Sequence, residues 1–185
     1  MFLKRSLFLF LLISSSASQA TELAGVEIAQ SVMLADQRLT LNGAGVRTKF
    51  IFDIYVAAFY SADAVKKNAD INLQQPMRMA MHFVYDEVDK DKLTDAWIEG
   101  FEENLSATLL KQLDEKIKRF NGYFETVHKG DVIRLDYYPN KGTQVSINNR
   151  DKGLIEGASF YRALLLIWLG KEPVAEELKQ QLLGN

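Results

Sequence analysis

The chain has no cysteine, only three prolines and no excess of basic residues, and each of these absences excludes a class of protein. Without cysteine there is no disulfide scaffold, so stability must come from a hydrophobic core. With 22 basic against 24 acidic residues, the chain lacks the clustered positive charge that affinity for nucleic acid requires. Its composition, 48% hydrophobic and 25% charged, is that of an ordinary globular protein. We therefore expect a core-stabilised domain that binds no nucleic acid.

The common catalytic and cofactor motifs are also missing from the sequence. It contains no Gly-x-Ser-x-Gly, no phosphate-binding loop and no His-Glu-x-x-His. The segment Gly-Ala-Gly at residues 43–45 lacks the third glycine and the following helix of a dinucleotide site. His82, in an apolar segment, and His128, before a Lys-Gly turn, are far apart, which favours structural or surface roles. We predict no metal site and no cofactor.

The start of the chain has the pattern of a secretory signal peptide. Two basic residues precede an unbroken apolar run over residues 7–13, and a serine-rich stretch follows that ends in Ser-Gln-Ala at residues 18–20. The apolar run is much shorter than the roughly 20 residues that a membrane span needs. We expect residues 1–20 to be removed and residues 21–185 to form one exported, periplasmic domain without a membrane span. Removal takes two of the 22 basic residues and none of the 24 acidic ones, which leaves a formal charge of −4.

Hydrophobic periodicity predicts an α+β fold, in which helices gather on one face of an antiparallel sheet. Asn42-Gly43 is typical of a tight hairpin turn after a loosely alternating stretch over residues 26–41. Alternating or continuous apolar segments predict strands, and apolar residues recurring every four positions predict helices. The predicted strands cover residues 50–60, 77–85, 133–138 and 145–147, and the predicted helices cover residues 62–68, 93–117, 158–169 and 173–184.

Three local segments carry a resemblance to a known family. Residues 41–47 put an arginine after a glycine turn, residues 53–60 put two tyrosines beside small alanines, and residues 167–174 join two helices. In this order and spacing they resemble the chalcone isomerase family, and specifically its bacterial exported branch, over about residues 26–184. The resemblance implies an open-faced β-sandwich, which is a long antiparallel sheet covered by a layer of helices, with a ligand cleft between the two.

The same resemblance implies which residues face that cleft. Arg47 falls on the family's cleft arginine, and Tyr55 falls where catalysing members have a threonine and fatty-acid-binding members have a tyrosine. Asn104 matches a cleft asparagine of the isomerases, and Trp97 replaces the catalytic tyrosine seven residues before it. An indole cannot hold the oxygen that the intramolecular cyclisation uses. The resemblance therefore favours a binding protein over an intramolecular lyase.

These residues predict a binding site for a small amphipathic carboxylate, such as a fatty acid or a related lipid. Arg47 would offer two parallel hydrogen bonds to the carboxylate and Tyr55 would offer a hydroxyl. Aromatic side chains would line the route of the apolar tail. The predicted lining residues are Phe50, Phe59, Trp97 and Phe101.

Other interpretations of these residues stay open. Arg47 could form a surface ion pair, and Tyr55 and Tyr60 could be core rings with satisfied hydroxyls. On one straight strand Arg47 and Tyr55 would stand roughly 26 Å apart, so the chain must turn between Thr48 and Asp53 if they share a head group. The alternative functions are an enzyme acting on an enolate or phenolate, with Arg47 as electrostatic stabiliser, and an envelope interaction protein. The sequence predicts no oligomeric state.

Overall fold

The structure, a computed structural model, describes residues 20–185, so the predicted signal peptide up to residue 19 lies outside the described residues. Among residues 20–185, no helix is both long and apolar enough to cross a bilayer. The strands are β1 (Ala20–Leu23), β2 (Val26–Ala29), β3 (Ser31–Leu34), β4 (Gln37–Lys49), β5 (Phe52–Ser61), β6 (Met77–Phe83), β7 (Glu87–Val88), β8 (Val127–His128), β9 (Val132–Tyr138), β10 (Gly142–Ile147) and β11 (Arg150–Glu156). The helices are α1 (Lys90–Asn104), α2 (Ala107–Asn121), α3 (Ala158–Leu169) and α4 (Glu176–Leu182).

Seven of the strands form one antiparallel sheet in the order β11-β10-β9-β6-β5-β4-β3. Each strand of this sheet lies beside the strands that precede and follow it among the seven along the chain. The helices α1 and α2 lie in the connection between β6 and β9. Two further antiparallel pairs lie outside this sheet. β1 and β2 form a hairpin, whereas β7 pairs with β8 from the other side of α1 and α2. The expected α+β architecture, an antiparallel sheet with a layer of helices, is confirmed.

Strand β5, which lies between β4 and β6, is buried on both faces, which explains its unbroken apolar run over residues 54–60. Ala57 and Phe59 belong to the core between the sheet and the helices. Val56 and Ala58 belong to a second core on the opposite face, where Ile28 of the β1–β2 hairpin also packs. Because successive side chains of a strand point to opposite faces, a strand between two cores needs apolar residues at every position. This strand was correctly predicted, although β5 begins two residues later than expected.

The prediction of a hairpin turn at Asn42-Gly43 is wrong, because β4 runs through both residues with a shift in register. The Asn42 side chain explains the irregularity. It accepts a hydrogen bond from the Val65 amide at 2.7 Å and donates to the Leu182 carbonyl at 2.7 Å. The turn that precedes β4 lies instead at Ala35-Asp36, where both residues have positive φ.

Three of the helix predictions need correction. The apolar seam over residues 93–117 belongs to two helices, because Leu105 is extended and the Ser106 side chain caps α2 by accepting from the Leu109 amide at 3.3 Å. Residues 62–68 contain no α-helix, and a single 3-10 turn follows at Asn68–Asp70. The last helix begins at Glu176 rather than at residue 173.

The sequence predicts α3 correctly and does not predict β11. The boundaries of α3, Ala158–Leu169, are those that the sequence predicts, since the apolar run is long and Gly170 follows it. The pattern does not predict β11, whose first residues are charged and whose pairing with β10 shifts register near Val145. A polar edge strand with an irregular register carries too little periodicity to be recognised.

Candidate ligand-binding cleft

A cavity of about 430 Å³ opens between the sheet and the helix layer, beside the ends of β4 and β5. Its volume lies within the range of about 300–1,000 Å³ that is typical of small-molecule sites. We call it the sheet–helix cleft. Side chains from the sheet, from α1 and from the segment before α4 line it, among them Arg47, Tyr55, Met81, Phe83, Trp97 and Val174.

Arg47 and Tyr55 come together because β4 and β5 form a hairpin. They are a directly opposed pair in the antiparallel register, and such pairs have β-carbons about 4.5–5.5 Å apart. The required turn lies at Phe50-Ile51, and Phe50 adopts a φ of +57° there. Eight residues of sequence separation thus become a single cross-strand contact.

Two glycines of β4 let α4 pack closely on the face of β4 that also carries Arg47. Gly43 and Gly45 lie on the same face of β4 as Arg47, and α4 packs directly on them. A β-carbon at Gly43 would clash with the Gln181 carbonyl oxygen, and one at Gly45 would clash with the Gln181 side chain. Arg47 is the next residue along this face, and it lies beside the cavity.

The Arg47 guanidinium has no acidic partner in the part of the chain that the structure describes. The salt bridges of residues 20–185 do not involve it. Its one hydrogen bond there is donated to the carbonyl of the adjacent Thr48. A half-buried guanidinium in this state retains most of its five N–H donors for an anion.

The Tyr55 hydroxyl is held by a second aromatic residue, Trp168 of α3. The Trp168 indole N–H donates to the Tyr55 oxygen at 3.1 Å, in a buried contact. Burial raises the pKa of Tyr55 to about 12, although the Trp168 hydrogen bond and the charge of Arg47 act in the opposite direction. Tyr55 is therefore a neutral hydroxyl at neutral pH. Because Trp168 is the donor in their contact, the hydrogen of Tyr55 can be donated to a ligand.

Sequence reasoning missed Trp168 as a member of the site. Its signal was present, because the indole N–H of a tryptophan in a largely apolar helix usually has a hydrogen-bond acceptor. The sequence does not show which acceptor lies within reach, since Tyr55 is 113 residues away along the chain.

Trp97 of α1 forms part of the apolar wall of the cleft. Its ring packs against Trp168, Phe120 and Phe124 with ring centroids 5.4–5.6 Å apart. Its indole N–H is buried and has no acceptor among residues 20–185. Trp97 thus supplies an aromatic side chain to the helix side of the cavity, and the three rings packed against it lie behind that wall.

The structure does not bring Phe59, Phe101 or Phe50 to the wall of the cleft. Phe59 pairs with Gly43, at the part of the sheet that α4 covers. Phe101 is buried against Phe120 and Phe160 in the core between the helices. Phe50 lies on the surface, with 89% of its area exposed. An aromatic residue that is close in sequence to cleft residues therefore does not necessarily line the cavity.

Asn104 also lies outside the cavity lining, and its side chain fixes a loop. Its amide donates to the Glu172 carbonyl at 2.6 Å and to the Gly100 carbonyl at 3.0 Å, and its oxygen accepts from the Glu172 amide at 3.1 Å. These bonds tie the end of α1 to the loop between α3 and α4. Since Pro173 and Val174 of that loop line the cleft, Asn104 acts on the cavity only by positioning its wall.

The rim of the cleft is charged, whereas its interior is apolar. The exposed lining residues include Lys49 and Lys92, together with three glutamates on β7 and α1, none of which the sequence analysis singled out. Lys92 pairs with Asp89 at 3.0 Å. The buried lining residues are Tyr55, Met81, Phe83, Leu93, Trp97, Gly100 and Ile167. An amphipathic molecule matches this division, with its tail inside the cavity and its polar group near Arg47.

The fold and the cleft define an α+β domain with an apolar cavity between a sheet and a helix layer. A family model described as chalcone isomerase-like matches residues 20–184. The chain therefore belongs to the chalcone isomerase-like family, as the sequence motifs predict. Its membership of the exported bacterial branch stays a prediction.

A solved relative shares this architecture. The crystal structure of a fatty-acid binding protein from Arabidopsis thaliana superposes with a TM-score of 0.69, covering 90% of this chain and 96% of that chain. The two sequences are 19% identical, so the likeness shows the fold alone. No curated protein matches the sequence of this chain.

Proposed function

We propose that this protein is an exported, non-catalytic member of its family that binds a small amphipathic carboxylate, a fatty acid or a related lipid, in the sheet–helix cleft. One observation carries the proposal. Arg47 has no acidic partner among residues 20–185 and stands across from the neutral Tyr55 hydroxyl, at a cavity whose interior is apolar. The fatty-acid binding of the Arabidopsis relative supports the same ligand class.

The chemistry of the head group follows from the two donors. A carboxylate has about four lone-pair positions, and it can accept two parallel bonds from Arg47 and one from the Tyr55 hydroxyl. Trp168 orients that hydroxyl by donating to its oxygen. The apolar tail would contact Met81, Phe83 and Trp97, which line the interior.

Proton-transfer chemistry on an enolate or phenolate is less well supported. An enzyme of that kind needs a group that accepts a proton near neutral pH. Among the buried lining residues, Tyr55, with a pKa of about 12, keeps its proton, and an indole such as Trp97 accepts none. The carboxylates that line the cavity are the exposed glutamates of its rim. The Arg47 guanidinium and the Tyr55 hydroxyl are hydrogen-bond donors that stabilise an anion, and a protein that binds a carboxylate needs such donors.

The test is calorimetric titration of the mature protein with a long-chain fatty acid and with its methyl ester. We expect Arg47→Ala to weaken binding of the acid by about 2–5 kcal/mol, since the anion then lies unpaired in the cleft. Arg47→Lys should restore only part of the affinity, because an ammonium cannot make two parallel bonds. Tyr55→Phe should cost about 1.5–3 kcal/mol, the range for a hydrogen bond to a charged group.

Arg134→Ala is the matched control. Arg134 is a half-buried arginine of the same sheet, but it pairs with Ala80 on the face away from the helices. Its loss should leave fatty-acid affinity unchanged. Equal binding of acid and ester by the parent protein, or an unaltered affinity in a folded Arg47→Ala, would contradict the carboxylate site. Saturable cyclisation of a chalcone that Arg47→Ala abolishes would favour an enzyme instead.

A further inference from the structure

The turn between β4 and β5 exposes three consecutive large hydrophobic residues. Phe50 is 89% exposed, Ile51 is 84% exposed and Phe52 is 49% exposed. Single exposed hydrophobic residues are common on protein surfaces, but a contiguous exposed apolar patch marks an interaction site. We call these three residues the hairpin tip.

The hairpin tip contains a backbone conformation that is unfavourable for phenylalanine. Phe50 has a φ of +57°, a region that bulky residues rarely adopt and that glycine adopts freely. Thr48 and Asp53 are paired across the base of the turn, with the Thr48 hydroxyl donating to the Asp53 carboxylate at 2.8 Å. Phenylalanine gives this turn no conformational advantage, so a contact made by the Phe50 side chain must account for its presence.

The hairpin tip is fixed next to the mouth of the cleft. The Phe52 ring makes an edge contact with Tyr85 at 5.5 Å, and Tyr85 lines the cavity. Lys49, the residue before the tip, is exposed and also lines it. Whatever covers Phe50 and Ile51 therefore also faces the opening of the sheet–helix cleft.

We propose that the hairpin tip docks on a lipid bilayer, with Phe50 and Ile51 inserted at the boundary between head groups and acyl chains. Aromatic side chains bury about 150–250 Å² each, so the tip exposes on the order of 400–500 Å². A stable protein partner needs about 800 Å² on each side, and a narrow apolar projection supplies less. A bilayer needs no matching surface, and the exposed Lys49 beside the tip suits the phosphates of its head groups.

Docking in this orientation gives the cleft access to molecules dissolved in the membrane. Amphipathic carboxylates partition into bilayers because their tails are apolar. A cleft mouth held at the surface shortens the path of the tail through water. The docking proposal is argued from the hairpin tip alone, whereas the use of docking in collecting or delivering a ligand rests on the proposed function.

Vesicle flotation of the mature protein tests the proposal, with vesicles of phosphatidylcholine containing phosphatidylglycerol. We expect the parent protein to float with the vesicles and Phe50→Ser or Ile51→Ser to weaken partitioning by at least about tenfold each, the effect of withdrawing one large apolar side chain. Phe50→Gly should lose vesicle binding to the same extent while remaining folded, because glycine relieves the strain at the turn.

Met33→Ser is the matched control for the loss of an exposed hydrophobic residue. Met33 is 58% exposed and pairs with Arg38 at the other end of the 13-residue strand β4, roughly 40 Å from the tip at the usual rise per residue. This variant should bind vesicles like the parent. Vesicle binding that survives Phe50→Gly, or no binding by the parent, would overturn the docking proposal. Self-association that disappears in Phe50→Gly without any vesicle binding would also overturn it and identify a second copy as the partner.

The outcomes separate this proposal from that of the cleft. Titration with a fatty acid in vesicle-free solution should give the same affinity for Phe50→Gly as for the parent, since Phe50 is not on the cavity wall. Arg47→Ala should still float with vesicles although it has lost its carboxylate affinity. Flotation without fatty-acid binding would refute the proposed ligand and keep the docking surface.

Discussion

The two tyrosines of β5 have different roles because they stand on opposite faces of the strand. Tyr55 points to the helices, accepts from Trp168 and lines the cleft. Tyr60 points to the other core and donates its hydroxyl to the Ala29 carbonyl at 3.0 Å. Tyr60 is thus a core ring with a satisfied hydroxyl. Only the environment of Tyr55 leaves its hydrogen for a ligand.

The raised pKa of Tyr55 predicts a specific loss of stability at high pH. A tyrosine in the unfolded chain ionises near pH 10, whereas Tyr55 in the folded protein keeps its proton up to about pH 12. Between these values the unfolded state binds fewer protons, so the free energy of unfolding falls as pH rises, by about 2–3 kcal/mol in total for this residue. Denaturant unfolding across this range should show a shallower decline for Tyr55→Phe than for the parent.

This prediction concerns how steeply the free energy of unfolding falls with pH, and not its value at neutral pH. Tyr55→Phe also removes the acceptor of the Trp168 indole N–H, so it should be less stable than the parent at neutral pH. The same decline in both proteins, or a Tyr55 phenolate absorbance that develops near pH 10, would contradict the buried neutral hydroxyl.

Among the elements, β4 and α4 pack backbone against backbone. The glycines of β4 allow this approach, and Asn42 fixes it by donating to the Leu182 carbonyl at the end of α4. Lys66 adds a bond from its ammonium to the Gly184 carbonyl at 2.7 Å. A sequence motif that looks like a turn therefore serves as a docking surface for the last helix.

The two glycines predict different costs for the same substitution. In Gly43→Ala the new methyl group would meet backbone atoms of Gln181 and Leu182, which cannot move unless α4 moves. We expect a loss of about 1–3 kcal/mol in the free energy of unfolding, the usual effect of overpacking. In Gly45→Ala the obstacle is the flexible Gln181 side chain, so the loss should be smaller. Urea unfolding measures both, and equal costs or a stabilised Gly43→Ala would show that α4 is not held against β4.

At the scale of the whole molecule, the sheet separates two cores with different coverings. Helices and the cleft lie on one face, and the β1–β2 hairpin packs on the other. That hairpin begins at Ala20, at the expected cleavage position. The chain after this position retains the other residues of the hairpin and the whole seven-stranded sheet. Removal of residues 1–20 would therefore leave both cores in place.

Export is the prediction that belongs to this scale. A short apolar run followed by Ser-Gln-Ala at residues 18–20 should direct cleavage after Ala20. We expect a mature protein that begins at Thr21 and is recovered from the periplasmic fraction, as N-terminal sequencing of the fractionated protein would show. Retention of Met1 in a membrane pellet would refute cleavage and favour an anchored form.

The sequence by itself determined the class of fold, the family and the boundaries of α3. These follow from periodicity, composition and motif order, which are properties of consecutive residues. The strand β5 was recognised for the same reason, because burial on both faces leaves an unbroken apolar run.

Only the tertiary structure decided which residues meet at the cleft. The pairing of Arg47 with Tyr55 depends on a turn at Phe50, where no glycine signals it. The bond from Trp168 to Tyr55 depends on how α3 lies on the sheet, and Asn104 turned out to hold a loop. Contacts of this kind are set by strand register and by the packing of helices on the sheet. No local pattern of residues encodes them, because the partners are far apart along the chain and become neighbours only when the layers assemble.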